Sequence, residues 1–238
     1  MASSGPEVNR VPADPGDNTC HVWLADVSLE RPAHLGLLSD VEKARRDGYV
    51  RAQDRAQFTL AAALLRLLAS MDSGERPADV MVDRSCLRCV KPHGRPRIPG
   101  TDLHVSVSHA QGQVSVATTK VAPIGLDIEE IRVRDVDALA RACLSPDEPV
   151  RRPEDFFTYW CRKESAVKAT GDGLYAPMTQ VVVSAADEPP RLISYLGAQL
   201  PATMADIALA RQYAGAVTVL AEIELDVVVR DAAQILAA

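Results

Sequence analysis

Two helical periodicities, one in each half of the chain, most constrain its fold. From Arg55 to Ala69, residues Leu60, Ala63, Leu64, Leu67 and Leu68 recur at the spacing of one helical face. From Asp155 to Ala169, residues Phe157, Trp160, Cys161, Glu164, Val167 and Lys168 do the same. Glycine ends both runs, Gly74 after the first and Gly171-Asp-Gly173 after the second. Ser39 to Glu42 reads as a capping box in a region that looks helical, and another helix is expected from about Val136 to Cys143. Strands are expected at Cys20–Val27, around Val105 and Val114 with Ala110-Gln-Gly-Gln113 as the hairpin connection, and over Ile124–Glu129. Further strands are expected at Val181–Ser184, Leu192–Tyr195 and Ala216–Ile223. Residues 79–100 read as a short strand followed by a turn-rich segment ending in H-G-R-P-R-I-P-G. Each half then has one main helix and several short strands. Residues 1–18, polar and rich in Gly, Pro and Asp, are expected to form a disordered tail. That leaves an N-terminal α+β half over 19–122 and a C-terminal α+β half over 123–238.

The C-terminal half carries the chemistry. In the run I-G-L-D-I-E, strand alternation points Ile124, Leu126 and Ile128 one way and Gly125, Asp127 and Glu129 the other. The two carboxylates then start about 6–7 Å apart at Cα, within reach of one hard cation. Gly125 leaves room for a ligand to approach. On the second helix, Glu164 and Lys168 stand one turn apart on or beside the apolar stripe, where charges line a cleft. Three acids and one lysine point to a metal bound to a polyphosphate. Gly94-Arg95-Pro96 adds a backbone that a ligand can approach and a guanidinium suited to phosphate. Ser108 and His109 end a strand, where both can turn towards a loop-bound ligand. Cys86 and Cys89 form C-x-x-C with His93 four residues on. Three local ligands are one short of the usual zinc set, so the segment reads as a loop with two thiols.

Composition narrows the function classes. A chain of 238 residues, 47% hydrophobic, can bury a core as one large domain or two modest ones. The net charge of -6 argues against nucleic acid as the main partner. Five cysteines, an odd number, do not read as a disulfide framework. No apolar run approaches the roughly 18–20 residues of a membrane span, and the first residues lack the pattern of a signal peptide. A soluble, cytoplasmic protein is expected, without a membrane partner.

The ordered set H-G-R-P-R-I-P, S-V-S-H-A, P-I-G-L-D-I-E and F-F-T-Y-W-C-R-K-E-S-A-V-K-A-T-G-D-G-L resembles the Sfp-type 4′-phosphopantetheinyl transferases. The resemblance implies a pseudo-dimer of two similar α+β halves, acting as a monomer, with coenzyme A in the cleft between them. It implies transfer of 4′-phosphopantetheine from coenzyme A to a serine of an acyl or peptidyl carrier protein, with 3′,5′-ADP as the other product. Asp127 and Glu164 would be ligands of Mg²⁺ (or Mn²⁺), with Glu129 a direct or water-mediated third. Glu164 would also serve as base, Lys168 would hold the departing pyrophosphate, and Asp127 completes the catalytic set. Arg95 and Pro96 would lie beside the nucleotide, and Ser108 and His109 at the 3′-phosphate region. Gln57 falls where the family commonly has an arginine for that phosphate, and Arg45, Lys43 or Arg55 would supply the missing charge. Arg132, Arg134, Arg141, Arg151 and Arg152, with apolar groups near Leu144, are candidates for docking an acidic carrier. Two other readings are a non-catalytic module that binds coenzyme A or a carrier, and a zinc-dependent enzyme built on Cys86, Cys89 and His93.

Overall fold

The computed structural model describes residues 18–237 apart from 87, 88, 90 and 133–135. The expected tail, save its last residue, and Arg134 lie outside the described residues. In chain order the elements are β1 (Thr19–Asp26), α1 (Pro32–Leu35), α2 (Asp40–Asp47), α3 (Ala52–Ser73), β2 (His104–Ala110), β3 (Gln113–Thr119) and β4 (Ile124–Glu130). Then follow α4 (Asp137–Cys143), α5 (Pro153–Thr170), β5 (Val181–Val183), β6 (Leu192–Tyr195), β7 (Thr203–Asp206), β8 (Tyr213–Val219), β9 (Asp226–Asp231) and α6 (Ala233–Leu236). No helix among the described residues is long and apolar enough to cross a membrane.

Three sheets result. The first has the order β2-β3-β1-β9, the second β4-β8-β7, and β5 pairs with β6 alone. The hairpin of β2 and β3 turns on Gln111-Gly112, with Gly112 at φ 77°, a left-handed conformation that favours glycine. β9 lies parallel to β1, Thr19 opposite Asp226. The end of the chain therefore returns to the sheet of the first half, and Leu236 of α6 packs in the core under α3.

The two main helices form as their periodicity dictates. α3 buries Leu60, Leu64, Leu65 and Leu68 against Val105, Val114 and Val116 of the first sheet. The capping box at α2 is present, and its Glu42 does more than cap. The Glu42 Oε2 accepts from the Ser39 N–H at 2.9 Å and from Arg66 of α3 at 2.7 and 3.0 Å. Arg66, buried, also donates to the Val80 carbonyl at 2.6 Å. α2 is thus tied to α3 by one charge-assisted knot. Both helices end on a left-handed glycine, Gly74 at φ 77° and Gly171 at φ 82°.

The strand expected within residues 79–100 does not form among the described residues. Asp83 and Arg97 instead make an isolated antiparallel bridge, with Asp83 N–H to Arg97 O and Arg97 N–H to Asp83 O both 2.9 Å. Their side chains pair at 2.9 Å as well. That clasp closes the base of a loop over residues 84–96. The strand expected at Ala216–Ile223 starts earlier, at Tyr213, because its partner β4 runs on to Glu130 opposite Tyr213.

Two sheet edges meet where β2 faces β4. They are joined by serine hydroxyls rather than by a backbone ladder. The Leu126 N–H donates to Ser106 Oγ at 2.9 Å, and the Ile128 N–H to Ser108 Oγ at 3.3 Å. The alternation V-S-V-S thus has a physical reason. Val105 packs in the first core, while Ser106 and Ser108, both buried, face the neighbouring edge.

Candidate active site

The site grows from the contact of β4 with α5. A Cβ on Gly125 would overlap the Ser165 carbonyl and the Ala169 nitrogen of α5. Gly125 therefore admits the helix backbone and not, as its position in the motif predicts, a ligand. That close approach brings Asp127, on the same face of the strand, against Lys168. The Lys168 Nζ donates to Asp127 Oδ1 at 2.6 Å, to the Leu126 carbonyl at 3.0 Å and to Ser108 Oγ at 3.1 Å. Ser108 Oγ in turn donates to Asp127 Oδ1 at 2.8 Å. Asp127 Oδ2 is buried without a hydrogen-bond partner.

Glu129 and Glu164 lie on the rim of this buried pair, both half-buried. Burial, then the neighbouring Asp127 carboxylate, pushes Glu129 up to about 7, while Lys168 and a hydrogen bond from Trp160 pull it back. Burial and Asp127 likewise raise Glu164, with Lys168 opposing. Burial and the nearby Asp127 and Glu129 carboxylates drive the Cys161 thiol well above its ordinary value, so it is neutral. The carboxylates crowd one face and repel one another.

A hard divalent cation suits that arrangement on two grounds. The donor set is oxygen only, and one buried carboxylate oxygen of Asp127 has no other partner. The ligand atoms are not drawn together as they stand. Among the described residues, the sole trio of candidate ligand atoms lying within 4.8 Å of one another is Cys86, Cys89 and His93.

Four members of the periodic stripe of α5 form its most open face, while Cys161 and Val167 of the same stripe are buried. Phe157, Trp160, Glu164 and Lys168 are half-buried, whereas Phe156, Tyr159, Arg162, Lys163, Ala166 and Ala169 are buried. Two buried cations anchor the other faces. Arg162 bonds Asp206 at 2.6 and 2.9 Å and the carbonyls of Ser184, Ala185 and Glu188. Lys163 is paired with Glu148 and donates to the Cys143 and Met178 carbonyls at 3.2 and 3.0 Å. Sequence reasoning missed this pair. The signal was there, since two cations between Cys161 and Glu164 leave no polar face for both.

The remaining candidates divide. Ser108 is turned into the carboxylate cluster, while His109 is exposed. Partial desolvation and the Lys168 ammonium hold the His109 imidazole below its usual range, and it also feels Asp127 and Asp54 of α3. Gln57 is buried, and its amide donates to the Ala110 carbonyl at the end of β2. Arg95 donates to the Ala169 carbonyl in the last turn of α5, linking the 84–96 loop to that helix. Arg95 and Pro96 line a cavity of about 370 Å³ that reaches Ile124. A larger cavity of about 730 Å³ is lined by Glu42, Arg45, Phe58, Arg84, Lys91 and His93, among others. The Arg45 guanidinium lies over the Phe58 ring at 5.5 Å. Burial and the like charge of Arg45 lower Arg84. Sequence reasoning missed Arg84 and Lys91, since no periodicity marks a loop residue. Arg55 is spent on the Tyr49 and Val50 carbonyls, and Lys43 pairs with Asp40.

The arginines expected at a carrier surface are mostly paired. Arg132 bonds Glu130 at 2.6 Å, Arg151 bonds Asp187 at 2.7 Å and Arg152 bonds Asp155 at 3.0 Å. Leu144 is buried, and Leu139 of α4 is the exposed leucine beside Arg141.

Fold and site together define an α+β protein with an acid–lysine cluster suited to a metal and a phosphate. Comparison with known proteins gives the family. Residues 123–218 match the model of the 4′-phosphopantetheinyl transferase superfamily. A 4′-phosphopantetheinyl transferase of Bacillus subtilis is 30% identical over 156 residues, covering 62% of this chain and 65% of that protein, a little under two thirds. The transferase HetI of a Nostoc species is 28% identical over 172 residues, 65% of this chain and 69% of the relative. The transferase AcpT of Salmonella typhi is 32% identical over 134 residues, 48% of this chain and 70% of the relative. The chain belongs to the 4′-phosphopantetheinyl transferase family.

Proposed function

We propose that this chain transfers 4′-phosphopantetheine from coenzyme A to a serine hydroxyl of an apo acyl or peptidyl carrier protein, giving holo carrier and 3′,5′-ADP. The observation that carries the reading is the cluster of Asp127, Glu129, Glu164 and Lys168 on the shared face of β4 and α5, with Asp127 Oδ2 buried and unpartnered. Asp127 and Glu164 would hold Mg²⁺ or Mn²⁺, with Glu129 as a direct or water-mediated third. Bound there, the ion would offset charge on the pyrophosphate.

The residues of the chain do the rest. Glu164, half-buried on the rim of the cluster, would accept the proton of the serine hydroxyl. The serine oxygen attacks the pantetheine-bearing phosphorus, and the bond from that phosphorus to the 3′,5′-ADP oxygen breaks. Lys168, held at 2.6 Å from Asp127, needs only to exchange partners to meet the charge growing on the leaving phosphate. Ser108 and the Leu126 carbonyl keep the Lys168 ammonium on station meanwhile.

Coenzyme A would lie where the two halves meet, its nucleotide along Arg95 and Pro96. Gln57 is already engaged by Ala110, so the cations of the larger cavity would take the 3′-phosphate, Arg45 and Arg84 foremost. Both guanidinium groups line that cavity, and its Glu42 carboxylate is already taken up by Arg66, which supports that assignment. His109, exposed between α3 and α5 charges, would sit nearby. Leu139 and Arg141 of α4, in place of buried Leu144, would meet the carrier. The chain would work as a cytoplasmic monomer.

Glu164→Gln separates this reading from a coenzyme A-binding module without turnover. The variant should bind coenzyme A within a few-fold of the parent chain, by calorimetry, and transfer nothing to apo carrier. Parent chain that binds coenzyme A but never modifies a panel of apo carriers would establish the module instead.

A further inference from the structure

The loop over residues 84–96 holds a second set of metal-type ligands, unrelated in chemistry to the carboxylates. The ligand atoms of Cys86, Cys89 and His93 all lie within 4.8 Å of one another. Cys89 Sγ and His93 Nε2 share a hydrogen bond of 2.9 Å. A tetrahedral ion bound at about 2.3 Å to sulfur and about 2.0–2.1 Å to nitrogen needs ligand atoms about 3.5–3.8 Å apart. Adjustments of up to about 1.3 Å would reach that spacing. We propose that Cys86, Cys89 and His93 bind one Zn²⁺, with water in the fourth position, and that the ion fixes the loop bearing Arg84 and Arg95.

Ligand chemistry separates the two sites. Two thiolates and an imidazole select Zn²⁺, whereas Asp127, Glu129 and Glu164 offer only hard oxygens. The spacing C-x-x-C followed by x-x-x-H lets three ligands of one short loop converge. The other cysteines do not compete. Burial pushes the Cys20 thiol up to about 12 and raises Cys143 and Cys161, and thiols that resist ionisation are poor ligands.

The loop's construction gives the ion something to do. Its base is clasped by the Asp83–Arg97 pair. Above the base, the Gly94 N–H donates to the Arg84 carbonyl at 2.9 Å, and a Cβ on Gly94 would overlap the Ser85 carbonyl. The triad therefore closes a ring whose two flanks carry functional cations. Arg84, two residues before Cys86, lines the larger cavity. Arg95, two residues after His93, reaches the last turn of α5. An ion binding all three ligands would restrict the flanks together, so Arg84 and Arg95 would be presented at fixed separation. The ligands here act as positioning residues.

The test uses the full chain, purified under reducing conditions without chelator. Metal analysis after gel filtration should find one Zn²⁺ per chain. Replacement by Co²⁺ should give a thiolate-to-metal charge-transfer band, a readout that needs no variant and no activity. Cys89→Ser and His93→Ala should each weaken Zn²⁺, in competition with a chromogenic chelator, by more than the roughly 10–100-fold that follows loss of a residue merely supporting a ligand. Cys143→Ser should retain the full metal content. Hydrogen exchange should show residues 84–96 protected with Zn²⁺ and released without it. Metal-free parent chain that takes up no Zn²⁺, a Co²⁺ form without the charge-transfer band, or a Cys89→Ser variant with unchanged affinity would each overturn the site. So would a Cys86–Cys89 disulfide that persists in the folded chain under the reducing conditions of purification.

Discussion

Ser108→Ala tests whether this hydroxyl serves the metal cluster or the nucleotide. Its Oγ donates to Asp127 Oδ1 at 2.8 Å, receives Lys168 at 3.1 Å and receives the Ile128 N–H at 3.3 Å. Removing it leaves Asp127 Oδ1 with Lys168 alone and Lys168 with two acceptors instead of three. A hydrogen bond to a charged group contributes about 1.5–3 kcal/mol. Because Lys168 stays at 2.6 Å from Asp127, the low end applies, about 1.5 kcal/mol or roughly tenfold. The loss should fall on kcat and on the Mg²⁺ concentration needed for half-maximal rate. The assay is transfer to a single apo carrier by coenzyme A and, separately, by dephospho-coenzyme A. A group that orients Asp127 and Lys168 costs the same with both donors. A tenfold rise in KM confined to coenzyme A, with the dephospho donor unaffected, would refute the reasoning and place Ser108 at the 3′-phosphate.

Other outcomes follow from the same geometry. Arg84→Leu and Arg45→Leu should raise KM for coenzyme A but leave dephospho-coenzyme A nearly unchanged, by steady-state kinetics. Gly125→Ala forces β4 from α5 and should cost about 1–3 kcal/mol by denaturant melts, with transfer falling further than stability because Asp127 and Lys168 part. Lys163→Met leaves Glu148 buried without its ion pair and should cost about 3–5 kcal/mol, a drop of about 6–20 °C in melting temperature. Adding Glu148→Gln should recover part of the loss, and an unchanged midpoint in the single variant would contradict the anchor. Glu129 in the folded chain titrates at about 7 against an ordinary 4.5. Its contribution to stability is therefore intact below about pH 4.5 and lost as pH rises to about 7. Metal-free parent chain should lose stability over that window more steeply than Glu129→Gln, and stabilisation by Mg²⁺ should be larger at about pH 8 than at about pH 6.

The residues of one local element were the legible ones. The periodicity of Leu60 to Leu68 and the glycines at 74 and 171 announce both main helices, because helical spacing and left-handed stops are local properties. Asp127 and Lys168 were legible as candidates for the same reason, each at a fixed phase of its own element, but their pairing across the two elements was not. What sequence withheld depends on partners far along the chain. Gly125 reads as open space until α5 is seen to fill it. The stripe from Phe157 to Lys168 reads as one face until Cys161 and Val167 are found buried and its other members half-buried. β9 and α6 are short, and they exist by pairing with β1 and packing under α3. Arg84 belongs to no periodic element, so only the cavity identifies it.

An apo carrier protein is incubated with this chain and coenzyme A, with Mg²⁺ or with EDTA, and its intact mass is read alongside the 3′,5′-ADP released. The carrier serine should gain one phosphopantetheine with release of one equivalent of 3′,5′-ADP, both requiring Mg²⁺ and both absent with Asp127→Ala. Modification that persists in EDTA, or in Asp127→Ala, would contradict the proposed transfer.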